Sequence, residues 1–258
     1  MAPRNRRFGE SRLLGGSVNA PRLVVALDVD TLEAATGLVD LLRDEDIIFK
    51  VGYEGLFGFG DALRARLERD GRPTFVDAKL HDIPRTVGAA VRALVRPGVE
   101  ILTVHALGGN DMMLAAVDAA EERARDLGIA TPKVFGVTIL TSIAPEDLNE
   151  LGLRGGPGEN VMRLAALARD AHCAGVVCSP HESHDLKRYF GADFQTLCPG
   201  IRPAGTPHGD QKRVATPADA VAAGADYLVV GRPITEAGDP AATTRMILEE
   251  MAAAARAR

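Results

Sequence analysis

Tryptophan is absent from this chain, and aromatic residues make up only 4% of it. A core without large rings must be built from Ala, Val, Leu and Ile. Basic residues do not alternate with aromatics anywhere, and the net charge is −5. Both facts argue against a nucleic-acid-binding surface. No apolar run approaches the length needed to span a membrane. The three cysteines, Cys173, Cys178 and Cys198, have no metal-ligand spacing, and an odd count with no framework points to reduced thiols in a cytosol. His181 and His184 have no matching Cys or His pair nearby, so no metal site is expected. Lysine is also scarce, five against twenty-five arginines. Where Arg is the default cation, a Lys at the end of an apolar strand is a candidate for proton transfer, because Arg cannot give up its proton. Lys50 and Lys79 stand at such positions.

What is present is ordinary in bulk: 46% apolar and 25% charged residues over 258 positions, enough for one large domain or two small ones. Residues 1–20 differ from the rest, with Arg4, Arg6, Arg7 and Arg12 among Gly, Ser and Asn. Arg6-Arg7-Phe8 faintly resembles a twin-arginine leader, but Leu13-Leu14-Gly15-Gly16-Ser17 is too short and glycine-rich for a signal core. The expectation is a disordered tail over 1–20, with the catalytic domain over 21–258.

From Pro21 onward short apolar runs alternate with amphipathic stretches. Strands are expected at 23–27, 47–49, 74–76, 101–104, 134–140, 175–178, 194–197 and 227–230. Helices are expected at 31–42, 53–69, 83–95, 110–127, 159–173, 181–189, 217–223 and 240–255. Eight strand-then-helix units imply a parallel sheet covered by helices, and at this length they favour a closed (β/α)8 barrel of the TIM type in one domain. An open doubly wound sheet is the alternative, but Leu27-Asp28-Val29-Asp30 lacks the glycine fingerprint after the first strand. In a barrel the strand C-termini form the active face. Asp28, Lys50, Asp77, Lys79, His105, Thr141, Ser142 and Arg232 all fall there, with Asp82 just beyond.

The densest chemistry lies in Phe75-Val76-Asp77-Ala78-Lys79-Leu80-His81-Asp82-Ile83-Pro84. Strand alternation puts Asp77 and Lys79 on one side, about 7 Å apart along the backbone. Buried charge is costly unless paired, so this set differs from a surface ion pair. A second constellation follows the last two strands. Gly231-Arg232-Pro233-Ile234-Thr235 offers close backbone and a forked donor, and barrels often bind phosphate there. Pro199-Gly200-Ile201-Arg202-Pro203, continuing from Gly205 through Lys212, reads as a lid over an anion. A phosphate ester is the expected substrate class.

These motifs, together with Val25-Ala26-Leu27-Asp28, Lys50-Val51-Gly52, Val104-His105-Ala106, Leu140-Thr141-Ser142 and Gly209-Asp210-Gln211, resemble the orotidine 5′-phosphate decarboxylases in their shorter bacterial form. The resemblance runs from Leu23 to the last helix. It implies decarboxylation of orotidine 5′-monophosphate to UMP in de novo pyrimidine biosynthesis, with no metal or organic cofactor, in a cytoplasmic homodimer. It implies Lys79, Asp77, Asp82 and Lys50 as the catalytic set, with Asp28 and Lys50 also touching ribose. Asp82, Ile83 and Thr86 would reach the partner's site. Thr141 and Ser142 would line the pyrimidine pocket, and Arg202, Gln211, Gly231 and Arg232 the phosphate end. Related metal-dependent enzymes acting on keto sugar phosphates share D-x-K-x-x-D but carry a glutamate where this chain has Lys50. A barrel that binds a phosphate ligand without catalysis is the non-enzymatic alternative.

Overall fold

Eight parallel strands close into a barrel in simple sequential order, each hydrogen-bonded to the next and β8 to β1. They are β1 (Arg22–Ala26), β2 (Ile48–Val51), β3 (Thr74–Leu80), β4 (Val99–His105), β5 (Lys133–Val137), β6 (Gly175–Val177), β7 (Gln195–Cys198) and β8 (Tyr227–Val230). The computed structural model describes residues 20–204 and 214–257. The single-domain (β/α)8 barrel expected from the alternating pattern is therefore the observed fold. The expected tail, apart from Ala20, and the segment from Gly205 through Lys212, Gln211 included, lie outside the described residues.

Strand alternation sorts the apolar residues into two cores. Val24, Ala26, Ile48, Phe75, Ile101, Phe135, Leu197, Tyr227 and Val229 point inward and fill the barrel. Leu23, Val25, Leu27, Phe49, Val76, Leu102 and Val104 point outward and pack beneath the helices. Small residues contribute to this outer core as well: Ala116, Ala119, Ala120, Ala165 and Ala168 are all buried in it.

The helices are α1 (Leu32–Leu41), α2 (Ala62–Arg69), α3 (Pro84–Leu94), α4 (Asn110–Leu127), α5 (Asp147–Glu150), α6 (Pro157–Asp170), α7 (Pro180–Phe190), α8 (Pro217–Ala222), α9 (Arg232–Thr235) and α10 (Pro240–Arg256). Five of them, α3, α6, α7, α8 and α10, start at proline, whose fixed φ and missing N–H suit a first helical turn. Thr31 caps α1 by accepting from Ala34 N at 3.1 Å. α4 stops at Gly128, which adopts φ +66.

Two expectations are corrected. The helix expected over 53–69 is split into a π-helical turn, Glu54–Gly58, and α2, separated by Gly60 at φ +56. The strand expected over 134–140 ends at Val137, where Thr138 makes the last bonds to β6, its N–H and hydroxyl both donating to Val177 O. Thr141 and Ser142 therefore sit in a turn rather than directly at a strand end.

Candidate active site

One further step of two residues along the inward-facing rows changes the chemistry. Ala26 is followed by Asp28, Ile48 by Lys50, Phe75 by Asp77 and Ile101 by Thr103. The middle of the barrel is thus apolar, lying between Arg22, Lys133 and Gln195 at the N-terminal end and the charged C-terminal rim. A cleft of about 620 Å³ opens there. It is lined by Asp28, Lys50, Asp77, Lys79, Thr141, Ser142, Arg202, Gly231 and Arg232, among others.

The four charged residues of the first three strands form a continuous alternating chain. Lys50 Nζ lies 2.9 Å from both oxygens of Asp28 and 3.5 Å from Asp77 Oδ2. Lys79 Nζ donates to the same Asp77 Oδ2 at 2.8 Å. Asp77 is 8% exposed and Lys50 7%. Burial alone would raise the Asp77 pKa. The Lys50 and Lys79 ammoniums, with hydrogen bonds from Lys79 and Thr103, outweigh that and hold it below the usual carboxylate range. Tyr53 flanks the chain, with Lys79 Nζ 5.7 Å from its ring centre.

At the opposite end of the cleft two arginines converge. Arg202 follows β7 and Arg232 follows β8. The Arg202 pKa is lowered by burial first and by the Arg232 charge next, while Glu236 acts in the other direction. Its Nε is buried with no hydrogen-bond partner. Paired guanidinium groups, one of them under-satisfied, suit a doubly charged oxyanion. Gly231 sets the start of α9 with no side chain between backbone and cleft.

Asp82, Ile83 and Thr86 are not brought into this cleft within one chain. All three are exposed, Ile83 at 63%. Asp82 instead accepts from Ile83 N at 2.6 Å. His105 also stays out of the cleft lining and stacks on His81, with ring centres 5.3 Å apart. Burial first, then His81 and Lys79, lower its pKa. Among the described residues no three His, Cys, Asp or Glu side chains converge to hold a metal ion, no helix is long and apolar enough to cross a membrane, and all three cysteines are free and buried.

Several residues of the site, Tyr53 and Glu236 among them, were not singled out from the sequence, and two more bear directly on the charged chain. Thr103 donates to Asp77 Oδ1 at 2.9 Å and accepts from Lys79 N at 3.0 Å. In Ile101-Leu102-Thr103-Val104 it reads as one more β-branched strand residue. Gly52 was part of a motif, with no role attached. A Cβ there would come within 2.8 Å of both Asp28 Oδ1 and Lys50 Nζ, so only glycine leaves room for that ion pair.

Comparison with known proteins agrees in sequence and shape. The family described as "Orotidine 5′-phosphate decarboxylase / HUMPS family" matches residues 21–247. The chain is 48% identical over 232 residues to orotidine 5′-phosphate decarboxylase of Moorella thermoacetica, covering 89% of this chain and 92% of that one. It is 43% identical over 234 residues to the protein of that name from Vibrio cholerae, covering 91% and 98%. The crystal structure of orotidine 5′-phosphate decarboxylase from Lactobacillus acidophilus superposes with a TM-score of 0.79 at 38% identity, over 90% of this chain and 99% of that one.

Proposed function

The chain belongs to the orotidine 5′-phosphate decarboxylase / HUMPS family, and on that premise we propose that it converts orotidine 5′-monophosphate to uridine 5′-monophosphate and carbon dioxide. The observation that carries this reading is the Asp28–Lys50–Asp77–Lys79 chain at the C-terminal rim of the barrel.

Losing carbon dioxide leaves an electron pair in an sp² orbital at pyrimidine C6, which the ring π system cannot spread. A fixed ammonium beside C6 favours that charge. At 4 Å a unit pair attracts by roughly 4 kcal/mol at an effective dielectric of 20, and an ammonium already clamped by Asp77 needs no reorganisation as the charge develops. Lys79 then delivers its proton to C6. Asp77 orients the Lys79 ammonium, and Lys50 neutralises Asp77 from its other side while holding Asp28 for the ribose hydroxyls. Thr141 and Ser142 address the pyrimidine. Arg202, Gln211, Gly231 and Arg232 take the phosphate, whose binding energy helps hold the charged centre closed around substrate.

The working unit is a homodimer in which Asp82, Ile83 and Thr86 complete the partner's site. In support, exposed Tyr53, Phe57, Ile83 and Leu107 follow the ends of three neighbouring strands and offer apolar surface to a second copy. The reaction belongs to de novo pyrimidine biosynthesis, carried out in the cytoplasm.

The metal-dependent keto sugar phosphate chemistry of related barrels is disfavoured by Lys50. Its ammonium sits between Asp28 and Asp77, and a divalent cation at that position would meet an ammonium instead of a ligand. The test is ultraviolet assay of orotidine 5′-monophosphate with and without EDTA. Turnover equal in both arms is expected. No turnover of orotidine 5′-monophosphate in either arm, with magnesium-dependent turnover of a keto sugar phosphate, would favour the metal-dependent reading, and no turnover of either substrate would favour a non-catalytic barrel.

A further inference from the structure

The register between β3 and β4 steps from Val76↔Leu102 to Leu80↔Val104. Asp77, Ala78 and Lys79 therefore stand opposite one residue, Thr103. Such a bulge re-aims side chains but leaves backbone groups without ladder partners. It also bends Lys79 to φ +42, a left-handed conformation unfavourable for a residue with a Cβ. Both charged residues central to the proposed chemistry thus sit on the least regular part of the barrel wall.

The Thr103 side chain stands in for the missing ladder. Its oxygen accepts the Lys79 N–H at 3.0 Å, and its proton goes to Asp77 Oδ1 at 2.9 Å. A hydroxyl has one proton, so the carboxylate fixes its direction and leaves a lone pair facing the amide. With Oδ1 occupied in this way, Asp77 presents Oδ2 to Lys79 at 2.8 Å and Lys50 at 3.5 Å. Thr103 is 1% exposed and does not line the cleft.

We propose that Thr103 is a positioning residue for the reaction: its hydroxyl ties the backbone of Lys79 to the carboxylate of Asp77 and so fixes the angle at which the ammonium meets the reacting carbon. This rests on the function proposed above and deepens it. The link is intramolecular, so it is measurable apart from turnover.

The test compares full-length Thr103→Val and Thr103→Ser with the unaltered chain. In Thr103→Val, kcat for orotidine 5′-monophosphate is expected to fall about 10- to 100-fold while UMP affinity changes less than about threefold, the signature of lost alignment rather than lost binding. Thr103→Ser, which keeps the hydroxyl, is expected to restore kcat to within about threefold. A folded Thr103→Val variant with undiminished kcat, or a serine variant as slow as valine, would overturn the proposal. Should the valine variant not fold, backbone amide exchange in the unaltered chain decides: the Lys79 amide is expected to exchange as slowly as the ladder amides of β3, and exchange at the rate of an unbonded loop amide would sink the idea. An unaltered chain that leaves orotidine 5′-monophosphate intact would refute the proposed reaction, with amide exchange still judging the Thr103 link.

Discussion

The Lys50 ammonium is held symmetrically by Asp28, at 2.9 Å from each carboxylate oxygen. That grip exists only because Gly52 has no side chain, since a Cβ there would lie 2.8 Å from both partners. Gly52 is not in the left-handed region, so alanine carries no backbone penalty, and the atoms it meets are the ends of side chains able to swing aside. Gly52→Ala is therefore expected to fold with a melting temperature within a few degrees of the parent, yet to lose about 10- to 100-fold in kcat/KM by displacing the pair. Paired thermal melts and steady-state assays check both halves.

Removing the proposed proton donor separates binding from chemistry. Lys79→Ala is expected to lower kcat by about 10³-fold or more. UMP affinity should remain within an order of magnitude, because Arg202 and Arg232 at the far end of the cleft are untouched. Titration of UMP alongside the turnover assay is the measurement. Near-normal turnover would rule out Lys79 as donor.

Asp77 gives the pH dependence a definite sign. Its folded pKa lies below the unfolded value near 3.8. The folded state thus binds fewer protons than the unfolded one between those two values, and stability falls as pH falls through that range. The contribution is complete above about pH 5 and is lost below about pH 4. The stability difference between the parent and Asp77→Asn should be flat from pH 5 to 7 and change only in the acid range. Denaturant melts at stepped pH would show it, and a change centred near pH 6 would contradict it.

A shared site predicts complementation between two inactive proteins. In a mixed dimer of Lys79→Ala and Asp82→Asn chains, one site carries both defects and the other carries neither. Equal mixing with subunit exchange should recover about a quarter of parental activity, since half the dimers are mixed and each has one intact site. Activity of the mixture no greater than the mean of the two variants would argue that each chain completes its own site.

Much of the site was legible because strand alternation is a strong constraint. A charged residue two positions beyond an inward-facing apolar one lands at the rim, which is how Asp28, Lys50 and Asp77 could be found together before any contact was known. Thr103 was not legible. Its type suits any buried strand, and its hydroxyl matters only where β3 bulges, which no local pattern in Thr74–Leu80 announces. The split of the helix expected over 53–69 was hidden likewise, since a π-helical turn keeps Gly55 tight against Val51 without changing the apolar pattern.

The sequence by itself determined the eight strand-and-helix units, the faces they bury and the charged types carried to one rim. These follow from local periodicity, which the tertiary structure altered within an element only at 53–69 and 134–140 among those expected. Only the tertiary structure decided which charges touch, that Asp77 lies between two lysines, that Thr103 bridges the bulge and that Arg202 meets Arg232. Ångström-scale distances between residues far apart in the chain depend on barrel closure and register, and no short window of sequence contains that information.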